Sequence, residues 1–145
     1  METFNDIKEI DPNDFNYKKI LGKGSFGTVL LVENKKTKKL FAAKEFYQKF
    51  DKKSFQKEIE TYSKVNNHSI LSFFGYSPYN FQNKNIYMIF TEYMSNGSLD
   101  KVKCMHKKIT NLNKYIILLG VALGMKYLHW KGIIHRDIKS ANILL

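Results

Sequence analysis

The stretch Gly22-Lys23-Gly24-Ser25-Phe26-Gly27-Thr28-Val29 constrains this chain more than any other. It is a G-x-G-x-x-G-x-V turn set between two strand-like runs, Phe15 to Leu21 and Thr28 to Val32. Glycines in such a turn let the backbone approach phosphate oxygens closely, and the loop N–H groups can contact them. The spacing alone is shared by glycine-rich hairpins and by dinucleotide folds. A dinucleotide fold needs a strand followed by a helix, however, and here the chain continues as a strand. The pattern predicts a hairpin that opens a sheet.

The remaining patterning builds on that hairpin. Residues 1–14 read as a polar arm, with Asp11-Pro12-Asn13-Asp14 as a turn leading into the domain. Asn34 to Lys39 is a solvated connection and Leu40 to Phe46 a third strand. Asp51 to Asn66 reads as a helix, because Phe55, Ile59 and Tyr62 recur at four and three and Asp51 can cap it. Ile70 to Tyr76 and Ile86 to Tyr93 are strands four and five. Beyond Asn96-Gly97-Ser98 the character changes to helix, first Leu99 to Lys108, then Leu112 to Lys131 ending at Gly132. The class is α+β. The longer helix is apolar on most sides and wants neighbours all round it, so half of a helical lobe is expected.

Composition narrows the partners. The net charge of +11 invites a nucleic-acid reading, yet Arg136 is the only arginine and the lysines are scattered. Surfaces that read phosphates or bases recruit arginine for its bidentate fork, and biased lysine and asparagine usage accounts for the charge, so no nucleic-acid partner is expected. Cys104 is the single cysteine, which excludes an intramolecular disulfide and fits a reducing, cytoplasmic setting. The N-terminus lacks an apolar signal core. The longest apolar run, Tyr115 to Met125, is eleven residues. A membrane span wants about 18, so none is expected.

The last eleven residues, His135-Arg136-Asp137-Ile138-Lys139-Ser140-Ala141-Asn142-Ile143-Leu144-Leu145, form H-R-D-x-x-x-x-N running into an apolar strand. Together with the glycine-rich turn and with Phe41-Ala42-Ala43-Lys44, which is similar to V-A-I-K, they make three spaced motifs in order. From about Phe15 to its end the chain resembles the eukaryotic protein kinase family. The resemblance implies a five-stranded antiparallel N-lobe with one inserted helix over 15–91, a hinge at 92–97 and the first helices of a helical C-lobe over 98–145.

The same resemblance implies ATP and Mg²⁺ as cofactors and assigns roles. Asp137 would accept the proton of a substrate hydroxyl, Lys139 would neutralise the phosphoryl group in flight, and Asn142 would hold Mg²⁺. Gly22, Gly24, Ser25, Phe26 and Gly27 would cover the phosphates. Lys44 would pair the α- and β-phosphates and be held by a helix glutamate. Glu60 has Lys64 four residues on, the arrangement of a surface ion pair, whereas Glu58 has Tyr62 there. Glu58 is therefore the expected partner of Lys44. Thr91 would be the gatekeeper of the adenine pocket, backbone groups of Glu92 and Met94 would meet the adenine edge, and Leu21, Val29, Ala42 and Leu144 would wall it. Asn67-His68-Ser69-Ile70-Leu71 stands where the family has H-P-N-I-V, with Asn67 in place of the histidine. Lys139 points to serine or threonine hydroxyls of a protein substrate, and Ser140-Ala141 is similar to the tyrosine-kinase-like and mixed-lineage groups.

In the family a D-F-G motif follows the catalytic loop by about twenty residues, and its aspartate holds the bridging Mg²⁺. Only Ile143, Leu144 and Leu145 follow Asn142. The expectation is that these residues alone transfer little or no phosphoryl group. Two explanations stand: an incomplete piece of a functional Ser/Thr kinase, or a short pseudokinase-like module that binds nucleotide or a partner. The first is favoured, because every nameable catalytic residue before the ending is in place.

Overall fold

The computed structural model describes residues 7–48, 51–104 and 109–145. They form two compact units. One runs up to Asn66 and adds Leu71–Tyr93; the other consists of Asn67–Ile70 and Met94–Leu145. The first is a sheet unit and the second a helical unit.

The sheet unit contains β1 (Phe15–Lys23), β2 (Gly27–Asn34), β3 (Leu40–Phe46), α1 (Lys52–Ser63), β4 (Phe73–Ser77) and β5 (Met88–Glu92). The strands are antiparallel throughout, in the order β1-β2-β3-β5-β4. Five strands and one inserted helix agree with the expected class. Several boundaries differ. β4 begins at Phe73 rather than Ile70, since Asn67 closes a turn by accepting the N–H groups of Ser69 on its side chain and of Ile70 on its carbonyl. β5 spans 88–92 rather than 86–93, because Ile86 bonds back to the Lys84 carbonyl in a turn. The helix stops at Ser63, not Asn66, where the Val65 N–H turns back to the Tyr62 carbonyl. Its start is capped as expected. The Asp51 carboxylate accepts the Ser54 N–H at 3.0 Å and the Ser54 hydroxyl at 2.6 Å.

Strand alternation gives the sheet two apolar faces. Leu30, Val32, Ala43, Met88 and Phe90 line one, where Ile10 and Phe15 join them. Phe46, Ile89 and Tyr76 line the other and pack against Phe55 and Ile59 of α1. Burying each of those two helix side chains contributes about 2 kcal/mol, which fastens α1 to the sheet.

Residues 7–10 are part of this core. Glu9 pairs with Tyr76 as a parallel bridge: the Tyr76 N–H donates to the Lys8 carbonyl at 3.1 Å and the Ile10 N–H to the Tyr76 carbonyl at 2.7 Å. Ile7 thereby enters the α1 side of the core and Ile10 the opposite side. The segment crosses β4 at Gly75, which follows the bulged Phe74 and has φ of 151°; any Cβ there would run into the Lys8 carbonyl and the Ile10 side chain. The polarity of residues 1–14 gave no sign of these two buried isoleucines. The expected turn at residues 11–14 is present, with Pro12–Asp14 in a single 3-10 turn.

The helical unit contains α2 (Leu99–Cys104) and α3 (Asn111–Trp130). The expected end of α2 at Lys108 lies outside the described residues. Thr110 caps α3 by accepting the Asn113 N–H at 3.2 Å. Gly132, at φ of 71°, ends it. Gly124 and Leu128 are its buried residues, with Ser69 and Ile70 lying against Gly124. Leu112, Tyr115, Ile116, Leu118, Leu119, Leu123 and Trp130 are exposed. A short antiparallel ladder then ties the end of the chain to the start of α2. Ser98 pairs with Leu144, the Leu99 N–H donates to the Ile143 carbonyl at 2.8 Å, and the Leu145 N–H to the Gly97 carbonyl at 2.9 Å. Among the described residues no helix is long and apolar enough to cross a membrane.

Candidate functional site

In the sheet unit the glycine-rich hairpin is closed by the Gly24 N–H, which donates to the Gly27 carbonyl at 2.9 Å. Its three glycines are not equivalent. A Cβ on Gly24 would meet open space to 4.0 Å, whereas one on Gly27 would collide with the Glu45 carbonyl of β3. Gly27 is thus required by strand packing, and Gly24 leaves backbone uncovered at the tip. Ser25 and Phe26 are exposed there, Phe26 by 63%. Gly22 pairs with Val29, and Leu21 is the extra residue of a bulge between Ile20 and Gly22.

Cross-strand register gathers the other residues. Val29 stands opposite Lys44, and Ala42 opposite Leu31 on one side and Thr91 on the other. Opposed residues share a face, so Val29, Ala42, Lys44 and Thr91 lie on one face of the sheet, the face that carries α1. Lys44 Nζ donates to Glu58 Oε1 at 2.9 Å, with the two side chains 30% and 26% exposed. Glu58 is presented there because Phe55 and Ile59, on either side of it, are buried beneath α1. Glu60 and Lys64 form no ion pair among the described residues. Beside Glu58, the Tyr62 hydroxyl is pushed up to about 12, first by burial and then by the Glu58 charge.

One neighbour of Lys44 was missed in the sequence. The ammonium lies 4.2 Å from the centroid of the Phe46 ring. Alternation along β3 was the signal that could have found it, since residues 44 and 46 must share a face.

Thr91 is buried, and its hydroxyl donates to the Glu92 carbonyl at 3.3 Å. The Glu92 N–H is committed to the Ser72 carbonyl at 3.0 Å, and its carboxylate accepts the Ser72 N–H at 2.7 Å. The Glu92 N–H is thus engaged within the sheet unit, and its carbonyl already accepts the Thr91 hydroxyl.

In the helical unit Asp137, Lys139 and Asn142 meet. Asp137 Oδ2 accepts from Lys139 Nζ at 2.9 Å and from Asn142 Nδ2 at 2.9 Å. The same amide nitrogen donates to the Asp137 carbonyl at 2.8 Å. The Asp137 N–H donates to His135 Nδ1 at 3.3 Å. Two local devices make this possible: Arg136 takes a left-handed φ of 65°, and Ser140–Asn142 forms one 3-10 turn. Hydrogen bonds from Lys139, then from Asn142, hold the Asp137 carboxyl below the usual carboxylate range, aided by the charge of Lys139. No hydrogen bond reaches Asp137 Oδ1 or Asn142 Oδ1 among the described residues. Met94 accepts the Gly97 N–H at 3.1 Å, and Leu144 lies in the bridge to Ser98.

The chemistry of each cluster follows. An ionised carboxylate with one free oxygen can accept a hydroxyl proton. A free amide oxygen suits a hard divalent cation. Among the described residues no three His, Cys, Asp or Glu side chains converge on a metal. The Asn142 amide oxygen fits Mg²⁺, which takes one or two protein oxygens and completes its shell from phosphates and water.

The model of the protein kinase domain matches residues 15–145. An Aurora kinase of Yarrowia lipolytica is 36% identical over 138 residues, covering 92% of this chain and 36% of the relative. The serine/threonine-protein kinase pakH of Dictyostelium discoideum is 40% identical over 134 residues, covering 90% of this chain and 25% of the relative. A receptor-like serine/threonine-protein kinase of Arabidopsis thaliana is 36% identical over 135 residues, covering 88% and 36% respectively. The chain thus spans a quarter to just over a third of the length of these relatives.

Proposed function

The chain belongs to the protein kinase family, and we propose that it carries the ATP-holding and hydroxyl-activating residues of a serine/threonine kinase. The family generally uses ATP and Mg²⁺. On the sheet unit, the backbone of the hairpin at residues 22–27 covers the phosphates of the nucleotide, and Lys44 donates to its α- and β-phosphate oxygens while Glu58 holds the ammonium. Leu21, Val29, Ala42 and Thr91 shape the adenine pocket. The Glu92 carbonyl faces the adenine edge. On the helical unit, Asp137 takes the proton of a serine or threonine hydroxyl through its free Oδ1. Lys139 offsets charge on the transferring group, and Asn142 offers its amide oxygen to Mg²⁺. When bound, Mg²⁺ neutralises the charge that grows on the β- and γ-phosphate oxygens. Protein serine and threonine hydroxyls are the substrates, and the relatives named serine/threonine-protein kinases support that choice.

The single observation that carries this reading is the Lys44–Glu58 ion pair on the same sheet face as Val29, Ala42 and Thr91. Calorimetric titration with ATP and Mg²⁺ tests it. The chain is expected to bind ATP saturably, and Lys44→Met to weaken binding about ten-fold or more, the worth of a charged hydrogen bond. Absence of saturable binding by the unaltered chain overturns the reading. In the native protein, Asp137→Asn is expected to abolish phosphate incorporation into a basic test protein. Phosphoamino-acid analysis should recover phosphoserine and phosphothreonine, and phosphotyrosine alone would refute the assignment of substrate.

A further inference from the structure

The Lys44 ammonium has a second seat besides Glu58. Lys44 and Phe46 stand two residues apart on β3, so both side chains project from the same face of the sheet. The ammonium lies 4.2 Å from the Phe46 ring centroid, well inside the range over which a cation is drawn to an aromatic face. The ring cannot easily move. It is 1% exposed and is held edge-on by Phe55 at 5.6 Å, in a core shared with Ile7, Ile59, Tyr76 and Ile89. Phe26 approaches the same ammonium at 6.0 Å from the exposed hairpin tip, at the outer limit of that range.

We infer that Phe46 is a positioning residue for the phosphate-binding lysine: its ring face holds the Lys44 ammonium in place alongside Glu58, favouring the triphosphate of a nucleotide over its nucleoside part. This rests on the reading of Lys44 as the phosphate-binding group. The two holders differ in kind. Glu58 arrives from α1 and leaves if that helix shifts, whereas Phe46 belongs to the same strand as Lys44 and travels with it.

The test titrates ATP and adenosine separately into the unaltered chain, Phe46→Leu and Phe46→Tyr. Leucine keeps apolar bulk and removes the aromatic face; tyrosine restores it. Phe46→Leu should weaken ATP about five-fold, the worth of one partly shielded cation–π contact, and leave adenosine unchanged. Phe46→Tyr should bind ATP within about two-fold of the unaltered chain, since the ring is restored. No loss of ATP affinity, or an equal loss for ATP and adenosine, overturns the proposal.

A second measurement needs no variant at position 46. In the proton–carbon spectrum of lysine-labelled protein, the Lys44 ε-methylene signal, identified by its disappearance in Lys44→Arg, should lie upfield of the other lysines under the ring current of Phe46. A Lys44 signal among the bulk lysines overturns the contact. Failure of the unaltered chain to bind ATP would instead sink the reading of Lys44, and the upfield signal would then persist without it.

Discussion

Asn142 grips Asp137 twice with one amide nitrogen, donating to the Asp137 carbonyl at 2.8 Å and to its Oδ2 at 2.9 Å. Backbone and side chain of the carboxylate residue are therefore set together. With Lys139 on the same Oδ2, one oxygen is anchored and the other stays available. The carboxylate is oriented without being consumed.

That arrangement has a titration signature. Hydrogen bonds from Lys139 and Asn142 favour the ionised form, so Asp137 titrates below the ordinary aspartate value of about 3.9. A lowered carboxyl pKa adds stability above that ordinary value and loses it as pH falls through the native one. Because the pair is more than half exposed, the effect on folding is small and the effect on protonation is what can be read. Lys139→Met should return the Asp137 carboxyl upward, measured by carbon NMR of labelled aspartate between pH 2 and about 6.

Tyr62 gives the opposite limb. Its hydroxyl, raised to about 12 by burial and by Glu58, stays protonated well beyond the ordinary value of about 10. The contribution is fully present below about pH 10 and is lost as pH rises toward 12. Ultraviolet titration should show a tyrosine ionising late, together with alkaline unfolding. Tyr62→Phe should shift the midpoint of that unfolding to higher pH.

Ile7 fastens the N-terminal segment to the α1 side of the core. Ile7→Ala should cost about 2 kcal/mol, the low end for a buried isoleucine because it sits at the rim. Thermal unfolding followed by circular dichroism measures it. A loss below a few tenths of a kcal/mol would show that the segment is not part of the folded core.

The hairpin glycines should separate by assay. Gly27→Ala forces a methyl into the Glu45 carbonyl and should cost about 2 kcal/mol or more of stability through strand displacement. Gly24→Ala meets open space and should leave the melting temperature nearly unchanged; under the proposed function, in which the tip backbone approaches phosphate, it should lower ATP affinity. Paired melting and binding curves decide both.

Motif spacing and period-two alternation carried the sheet, its inserted helix and the identity of the pair Lys44–Glu58, since each rests on local pattern or on an exclusion between Glu58 and Glu60. Strand ends were overrun because apolar residues such as Ile70 and Ile86 continue the pattern, while side-chain and backbone turns at Asn67 and Lys84 end it. Ile7 and Ile10 were illegible for another reason. They stand in a polar stretch too short for any period, and only the bulge before Gly75 reveals that β4 receives them. Phe46 stands in the sequence reading only as the last residue of the third strand; alternation puts it on the face of Lys44, but the 4.2 Å approach of the ammonium to its ring is a distance that spacing does not give.

The ladder joining Gly97–Leu99 to Ile143–Leu145 spans almost the whole helical unit in sequence. Closing so long a loop is entropically slow and gives nothing until both ends have been made. During synthesis, therefore, the loop bearing Asp137 gains its downstream anchor only after Leu145 has left the ribosome. Without Ile143 to Leu145 the loop would keep the Asp137 carboxylate but lose the brace behind it.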